Sequence, residues 1–210
     1  MPIPWFYTWS EPVFDKIMQG TLKECALTPF KSDISTLKER ASLIVNILNK
    51  SSEPAIIFSV SDIIVKPAFL SEVSNIRDEM VFIAGPTGEL QTELLYLKNN
   101  TDVLEFWNTV ATSDVSKLTE LVKGFKGQWS KFSRKCQTTE TWDKISEFNV
   151  LVLISSGFGK EFDFAEKLFT MAQHIELQPY MQDVPENVVP FIYKIQELLF
   201  LTHKQMKKSS

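Results

Sequence analysis

Pro54 to Leu70 reads PAIIFSVSDIIVKPAFL. Ala55, Ile56, Ile57 and Phe58 form an unbroken apolar run, Ser59-Val60-Ser61-Asp62 interrupts it, and Ile63-Ile64-Val65 resumes it before Lys66-Pro67. A run without polar alternation has no solvent face, which predicts a strand covered on both sides at the centre of a mostly parallel sheet. Ligands of such sheets bind beyond the carboxyl ends of the strands, and Asp62 falls at such an end. Its carboxylate has two readings. It ligates a divalent cation such as Mg²⁺ or Mn²⁺, which in turn holds a diphosphate, or it closes the turn before a second strand.

Upstream, Ile3 to Trp9 is aromatic and β-prone, and Ser10-Glu11-Pro12 supplies a cap, a first-turn acid and an early proline. A helix is predicted over 11–25, with Phe14, Ile17, Met18, Leu22 and Cys25 on one stripe, then a short strand over 27–31. A second amphipathic helix over 32–49 carries Ile34, Leu37, Ala41, Ile44, Ile47 and Leu48, with Lys38, Glu39 and Arg40 on its polar side. Downstream come a short helix over 67–76, a strand over 80–84, the turn Gly85-Pro86-Thr87-Gly88 and a strand over 94–97. Asn99 to Asp102 then caps a helix that turns Leu104, Trp107 and Val110 inward. This alternation of strand and helix predicts an α/β sheet with right-handed crossovers.

Residues 113–147 are more polar, and Phe148 to Ile154 reads equally as strand or helix. Two amphipathic helices follow, one marked by Phe162, Ala165, Leu168, Phe169, Ala172 and Ile175, the other by Val188, Ile192, Ile195, Leu198 and Leu199. The expected organisation is an α/β domain over 1–135 with a helical C-terminal lobe over 136–210, or a single domain containing both.

The chain of 210 residues is 44% hydrophobic and carries 16 Phe and 5 Trp, enough for a large core. Its net charge of −4 argues against a nucleic-acid surface, and the basic cluster Lys204, Lys207 and Lys208 reads as a solvated helix end. Cys25 and Cys136 are too far apart for a metal-spaced pair and read as free thiols of a reducing compartment. The opening segment lacks the pattern of a signal peptide, and no apolar run reaches membrane length, so a soluble cytoplasmic protein is expected.

No nucleophile elbow, phosphate-binding Walker loop or dinucleotide fingerprint occurs. His174 and His203 give little support to a Ser-His-Asp system; each reads as a packed or capping residue, although His203 is also placed to fold back onto a metal held by Asp62.

The segments IIFSVSDIIVKP, DEMVFIAG and LQTELLYLKNNTDVLEFWNTV, extending to Trp129-Ser130-Lys131-Phe132, resemble the core of GT-A glycosyltransferases, the nucleotide-diphospho-sugar transferases. The likeness is greatest to small glycosyltransferases of large algal viruses such as chlorella viruses, and spans roughly residues 3–135. It implies a GT-A-like, mainly parallel sheet flanked by helices, with residues 1–135 as the nucleotide-sugar-binding domain. It further implies transfer of a sugar from a UDP-sugar, with Mn²⁺ or Mg²⁺, to a hydroxyl acceptor such as a glycan of a viral or surface protein in the host cytoplasm.

Val60-Ser61-Asp62 takes the place of the family's D-x-D motif, so the resemblance assigns Asp62 to the metal and Ser61 and Asp62 to the nucleotide. Val60 stands where the first acid belongs and cannot ligate a metal. The base would meet Tyr7, Thr8 and Ser10, although Ser10 reads as well as a helix cap. Arg40 matches a basic residue that faces the nucleotide, or is simply an exposed helix charge. Gln91-Thr92-Glu93 fills the N-x-G position: Gln91 would bond donor hydroxyls, while Glu93 replaces a glycine and would serve sugar or acceptor. Asp114 matches an acid near the reaction centre, or caps a helix. Val60 and Glu93 also fit an alternative, a degenerate protein that only binds nucleotide-sugar or acts as a scaffold.

Overall fold

The computed structural model describes all residues except 1–2, 10, 32–33, 35, 114–117, 141–146, 155–158, 174–185, 187–188 and 207–210, with backbone alone at 139–140, 154 and 198–206. The stretch that decides the fold forms two strands, β3 (Ala55–Val60) and β4 (Ile63–Val65). Around β3 lie β1 (Trp5–Trp9), β2 (Leu27–Lys31), β5 (Met80–Ala84) and β6 (Leu90–Lys98), and the sheet is completed by β7 (Trp129–Lys131), β8 (Cys136–Glu140) and β9 (Val150–Ile154). The strand order is β2-β1-β3-β6-β5-β8-β9-β4, with β7 pairing β5 off this path. β1 runs parallel to β2 and β3, and β5 parallel to β7 and β8; β6 is antiparallel to both β3 and β5, and β4 to β9. The result is a mixed, mostly parallel α/β sheet flanked by helices, as the sequence predicts.

The lack of polar alternation in β3 has a direct cause. Ile57 faces one apolar cluster with Trp5, Tyr7, Val81 and Tyr96, while Ile56 and Phe58 face another with Phe82, Leu95 and Leu97. The second cluster is closed by the buried stripes of α2 (Leu37–Lys50) and α4 (Thr101–Thr112). The first is closed in part by α1 (Pro12–Thr21), through Met18, and by α3 (Ala68–Val73), through Phe69 and Val73. Each fully buried aliphatic or aromatic side chain contributes roughly 1.5–3 kcal/mol, so β3 anchors both layers.

Boundaries differ from expectation where capping chemistry decides them. α2 begins at Leu37, five residues later than its apolar spacing suggests. Thr36 and Glu39 form a reciprocal capping box there, and Ile34 lies outside the helix. Asn100 caps α4 as predicted, its side chain accepting from the Val103 amide at 2.9 Å. α1 ends at Thr21, short of Cys25, and α3 is trimmed to six residues. The ambiguous apolar segment after Phe148 is the strand β9. β6 starts at Leu90 rather than Leu94, since its polar opening still pairs with β5.

Two compact units divide the chain: Met1–Thr139 with Ile145–Val152, and Glu140–Lys144 with Leu153–Ser210. The first holds α1 to α4, the short α5 (Leu118–Leu121) and the 3-10 turn Val122–Gly124. In the second, α6 (Lys160–Ala172) packs on α7 (Val189–Met206), with Phe162 and Phe191 edge to face at 6.5 Å. Among the described residues no helix is long and apolar enough to cross a membrane.

Candidate functional site

β1 and β3 run in parallel and end level with each other, Thr8 opposite Val60. β6 runs the other way, with Leu94 opposite Ser59, so its opening residues Gln91, Thr92 and Glu93 lie at the carboxyl end of β3. α2 precedes β3 through a short connection and therefore brings its first turns to the same end. The partners of Arg40 prove the placement: one guanidinium nitrogen, Nη1, donates to Thr92 Oγ1 at 2.7 Å and to Glu93 Oε1 at 2.8 Å.

These groups line a cavity of about 410 Å³. Thr36, Leu37 and Arg40 of α2 form one wall, and Leu90 to Glu93 of β6 the facing one. Leu118 and Thr119 of α5 close a third side, where the Thr119 hydroxyl accepts from the Leu90 amide at 3.2 Å. Gln91 Nε2 donates to Glu89 Oε1 at 3.1 Å. The Glu89 carboxyl is held below its ordinary value chiefly by the Thr87 hydroxyl, so this rim residue stays ionised. A Cβ at Gly85 would stand 1.8 Å from Glu89 Oε1 and 2.6 Å from Gln91 Nε2, so glycine is what lets these two side chains cross the turn.

Polar capacity is left over in this cluster. Arg40 Nε and Gln91 Oε1 are buried and have no hydrogen-bond partner among the described residues. A buried polar group without a partner costs roughly 1–3 kcal/mol, and a guanidinium gripping a carboxylate through one nitrogen forgoes the stronger two-point geometry.

The structure thus gathers Arg40, Gln91 and Glu93 in one cavity. β6 carries a register irregularity against β5 between Phe82 and Ile83, and the residues it displaces are Thr92 to Leu94, which places Arg40's two acceptors within the irregular segment. Thr36, Glu89, Thr92 and Thr119 also line the cavity and escape the sequence reading.

Other expected residues lie elsewhere. Ser61 is buried and Asp62 half-buried in the β3–β4 turn, and Val60 packs partly buried against the first apolar cluster. Thr8 is buried within β1. Tyr7 is fully buried, its hydroxyl donating to Asp15 Oδ1 at 2.5 Å. Burial above all, then the Asp15 carboxylate, pushes that phenol well above its ordinary value, so its side chain belongs to the core. Ser10, Asp114 and His174 lie outside the described residues, and His203 falls on α7 with its side chain outside them.

The family resemblance implies a metal at the β3–β4 turn. Val60-Ser61-Asp62 offers a single carboxylate, and among the described residues no three His, Cys, Asp or Glu side chains gather as a metal site. The described residues do not build a resident metal centre.

No family model matches the sequence, and comparison with curated proteins gives no match either. Solved structures do match. A glycosyltransferase involved in glycosylation of the major capsid of PBCV-1 superposes with a TM-score of 0.53 at 10% identity, over 80% of this chain and 99% of that one. The galactosyltransferase LgtC, solved with donor and acceptor sugar analogs, gives 0.56 at 8% identity over 90% of this chain and all of that one. The chain has a glycosyltransferase fold. WbbM, a bifunctional glycosyltransferase in its apo form, gives 0.53 at 8% identity, and this chain spans about half (51%) of its length. At such identities the likeness concerns the fold, which is the one the GT-A resemblance implies.

Proposed function

We propose that this protein is a glycosyltransferase that takes a sugar from a nucleotide-diphospho-sugar, UDP-linked, and passes it to a hydroxyl of a glycan acceptor. The observation that carries the reading is the meeting of Arg40, Gln91 and Glu93 in a 410 Å³ cavity at the carboxyl end of β3, in a chain with this fold. The place is where open α/β sheets hold their ligands. The volume exceeds that of a hexose ring, and leucines 37, 90 and 118 offer an apolar wall beside polar edges, the mixture that a pyranose presents.

In the reaction the acceptor oxygen attacks the anomeric carbon, the bond from that carbon to the diphosphate oxygen breaks, and the acceptor proton passes to a base. Arg40 and Gln91 orient the donor sugar by hydrogen bonds, and Glu93 and Asp114 are the carboxylates proposed for the reaction centre. Ser61 and Asp62 meet the diphosphate, with Thr8 and Ser10 at the base. A divalent ion, Mn²⁺ or Mg²⁺, would be held by Asp62 together with the diphosphate and would supply charge neutralisation of the leaving UDP, since Val60-Ser61-Asp62 offers one carboxylate.

A second reading has its own support. Val60 is packed against the core and Glu93 is engaged with Arg40, so two positions of the family pattern serve the protein's own structure. The protein would then bind nucleotide-sugar without turning it over. Calorimetry with UDP, GDP and CMP, with and without Mn²⁺, followed by an assay of UDP release from UDP-glucose, tests both. UDP binding with release supports transfer, and binding without release supports the second reading. Failure of every nucleotide to bind removes both.

A further inference from the structure

The Arg40–Glu93 pair is asymmetric: the Arg40 side chain is 13% exposed and that of Glu93 is 32% exposed. The cation sits behind, held through Nη1 by Thr92 and Glu93, and the anion stands forward. Glu89 adds a second carboxylate to the same lining, kept ionised by Thr87. No other charged side chain lines the cavity among the described residues, so its charges sum to one guanidinium against two carboxylates. Of the pair, the carboxylate is thus the more accessible group and the guanidinium the more buried one.

A carboxylate brought into this space suffers repulsion from Glu93 and Glu89, while its natural partner, Arg40, is already neutralised. Hydroxyl and acetamido groups suffer no such penalty, since both donate to carboxylate oxygens and accept from amides. We propose that Glu93 is a specificity-determining residue that sets the charge of the sugar: the cavity admits neutral sugars and excludes those bearing a carboxylate. The inference rests on the reading of this cavity as a sugar site, and names the class of sugar it takes.

Binding of free glycosides tests it without requiring the nucleotide. Saturation-transfer NMR with methyl glucoside, methyl N-acetylglucosaminide and methyl glucuronide is run on the whole chain and on Glu93→Gln, with thermal melting as the check on folding. Glu89→Gln is a second variant, at the half-buried residue that follows the exposed turn 86–88. The native protein binds a neutral glycoside at least about tenfold more tightly than the glucuronide, the equivalent of losing one charged contact. Glu93→Gln, which removes the forward charge and frees Arg40, narrows that ratio by about tenfold, and Glu89→Gln narrows it less. The preferred neutral arm tells hydroxyl from acetamido recognition.

The proposal is overturned by equal binding of glucuronide and glucoside to the native protein, by an unchanged ratio in both variants, or by no glycoside binding at all. UDP titrated separately keeps the two levels apart. Charge-selective sugar binding without UDP binding sinks the donor-site reading and leaves the inference standing, and UDP binding without charge selection does the reverse.

Discussion

Two polar clusters of the first unit, one around Glu72 and one around Arg40, are built from similar groups and finish differently. Glu72, on α3, accepts from Asn149 Nδ2 at 2.9 Å and from the Ser133 amide at 3.0 Å, with Cys136 Sγ at 3.7 Å. Burial pushes its carboxyl up, but the Asn149 and Ser133 hydrogen bonds outweigh this and hold it below its ordinary value. Burial, and secondly the charge of Glu72, push the Cys136 thiol up to about 12, so the thiol keeps its proton. Donors and acceptors are matched here, and the cluster ties α3 to the segments before β8 and β9. Around Arg40 a buried donor and a buried acceptor are left over beside an open cavity. A matched cluster holds the fold together; an unmatched one beside space is where a ligand has something to add.

Both clusters hang on the same sheet, so the harshest way to break the comparison is to break β3. Ile57 is 1% exposed between Trp5 and Tyr96 on the neighbouring strands. Ile57→Asp buries an unpaired charge at a cost of several kcal/mol. Insoluble or molten protein is expected, read by solubility and near-ultraviolet dichroism. Recovery of cooperatively unfolding protein would remove β3 from the centre of the architecture.

A cleaner separation comes from Glu72→Ala, which leaves the Asn149 amide and the Ser133 N–H without their acceptor. A loss of about 1–3 kcal/mol in urea denaturation is expected, with glycoside binding unchanged. The pH dependence has a definite sign. Because the folded carboxyl lies below its ordinary 4.5, its stabilisation is fully present above that pH and is lost as pH falls through the folded value. The stability gap between native protein and variant should therefore be constant above 4.5 and narrow below it. A gap that widens on acidification would reverse the assignment.

How far each region could be read from sequence follows from the range of its interactions. β3, α2 and α4 declare themselves locally, through an apolar run without alternation and through Asn100 beside its helix. The Arg40 site joins residues 53 positions apart, and its reach depends on an irregularity in β6 that no spacing encodes. Arg40, Gln91 and Glu93 were legible as candidates only through the GT-A likeness, and their mutual contact not at all. The Glu72 cluster, spanning 77 residues to Asn149, gave no signal, because nothing in a lone glutamate announces its partners. β4 was legible as a strand, but its pairing with β9 is a tertiary choice between apolar segments of equal merit.

The β3–β4 turn offers a sharper contrast with the Arg40 cavity, since on the proposed reading one carboxylate there would do what two usually share. Asp62→Ala should abolish the Mn²⁺ dependence of UDP binding while leaving glycoside binding in the cavity intact. Val60→Asp restores the second acid and should strengthen Mn²⁺-dependent UDP binding by about 1–2 kcal/mol. It also costs some folding stability, because Val60 packs on the core cluster. Calorimetry at matched Mn²⁺ reads the first effect and denaturation the second. Unchanged Mn²⁺-dependent binding in Asp62→Ala would make Asp62 a turn residue and nothing more.

The smallest effect probes how the cavity wall is held. Thr36 lines the cavity, yet its hydroxyl is spent on the helix: it accepts from the Glu39 amide at 3.2 Å and donates to Glu39 Oε2 at 2.9 Å, while the Thr36 amide donates to the same carboxylate at 3.1 Å. Thr36→Ala removes the cap and should cost about 1 kcal/mol in urea denaturation, with Thr36→Ser restoring it. Arg40 stands one turn further along, so fraying of the first turn loosens the guanidinium that Thr92 and Glu93 hold. Amide exchange at Glu39 should quicken in Thr36→Ala, and the charge selectivity of the cavity should weaken slightly, both returning in Thr36→Ser. A variant with native stability and native Glu39 exchange would mean that the Leu37 start of α2 is fixed by packing of Ala41 and Ile44 on the sheet, and that Arg40 is positioned from β6 alone.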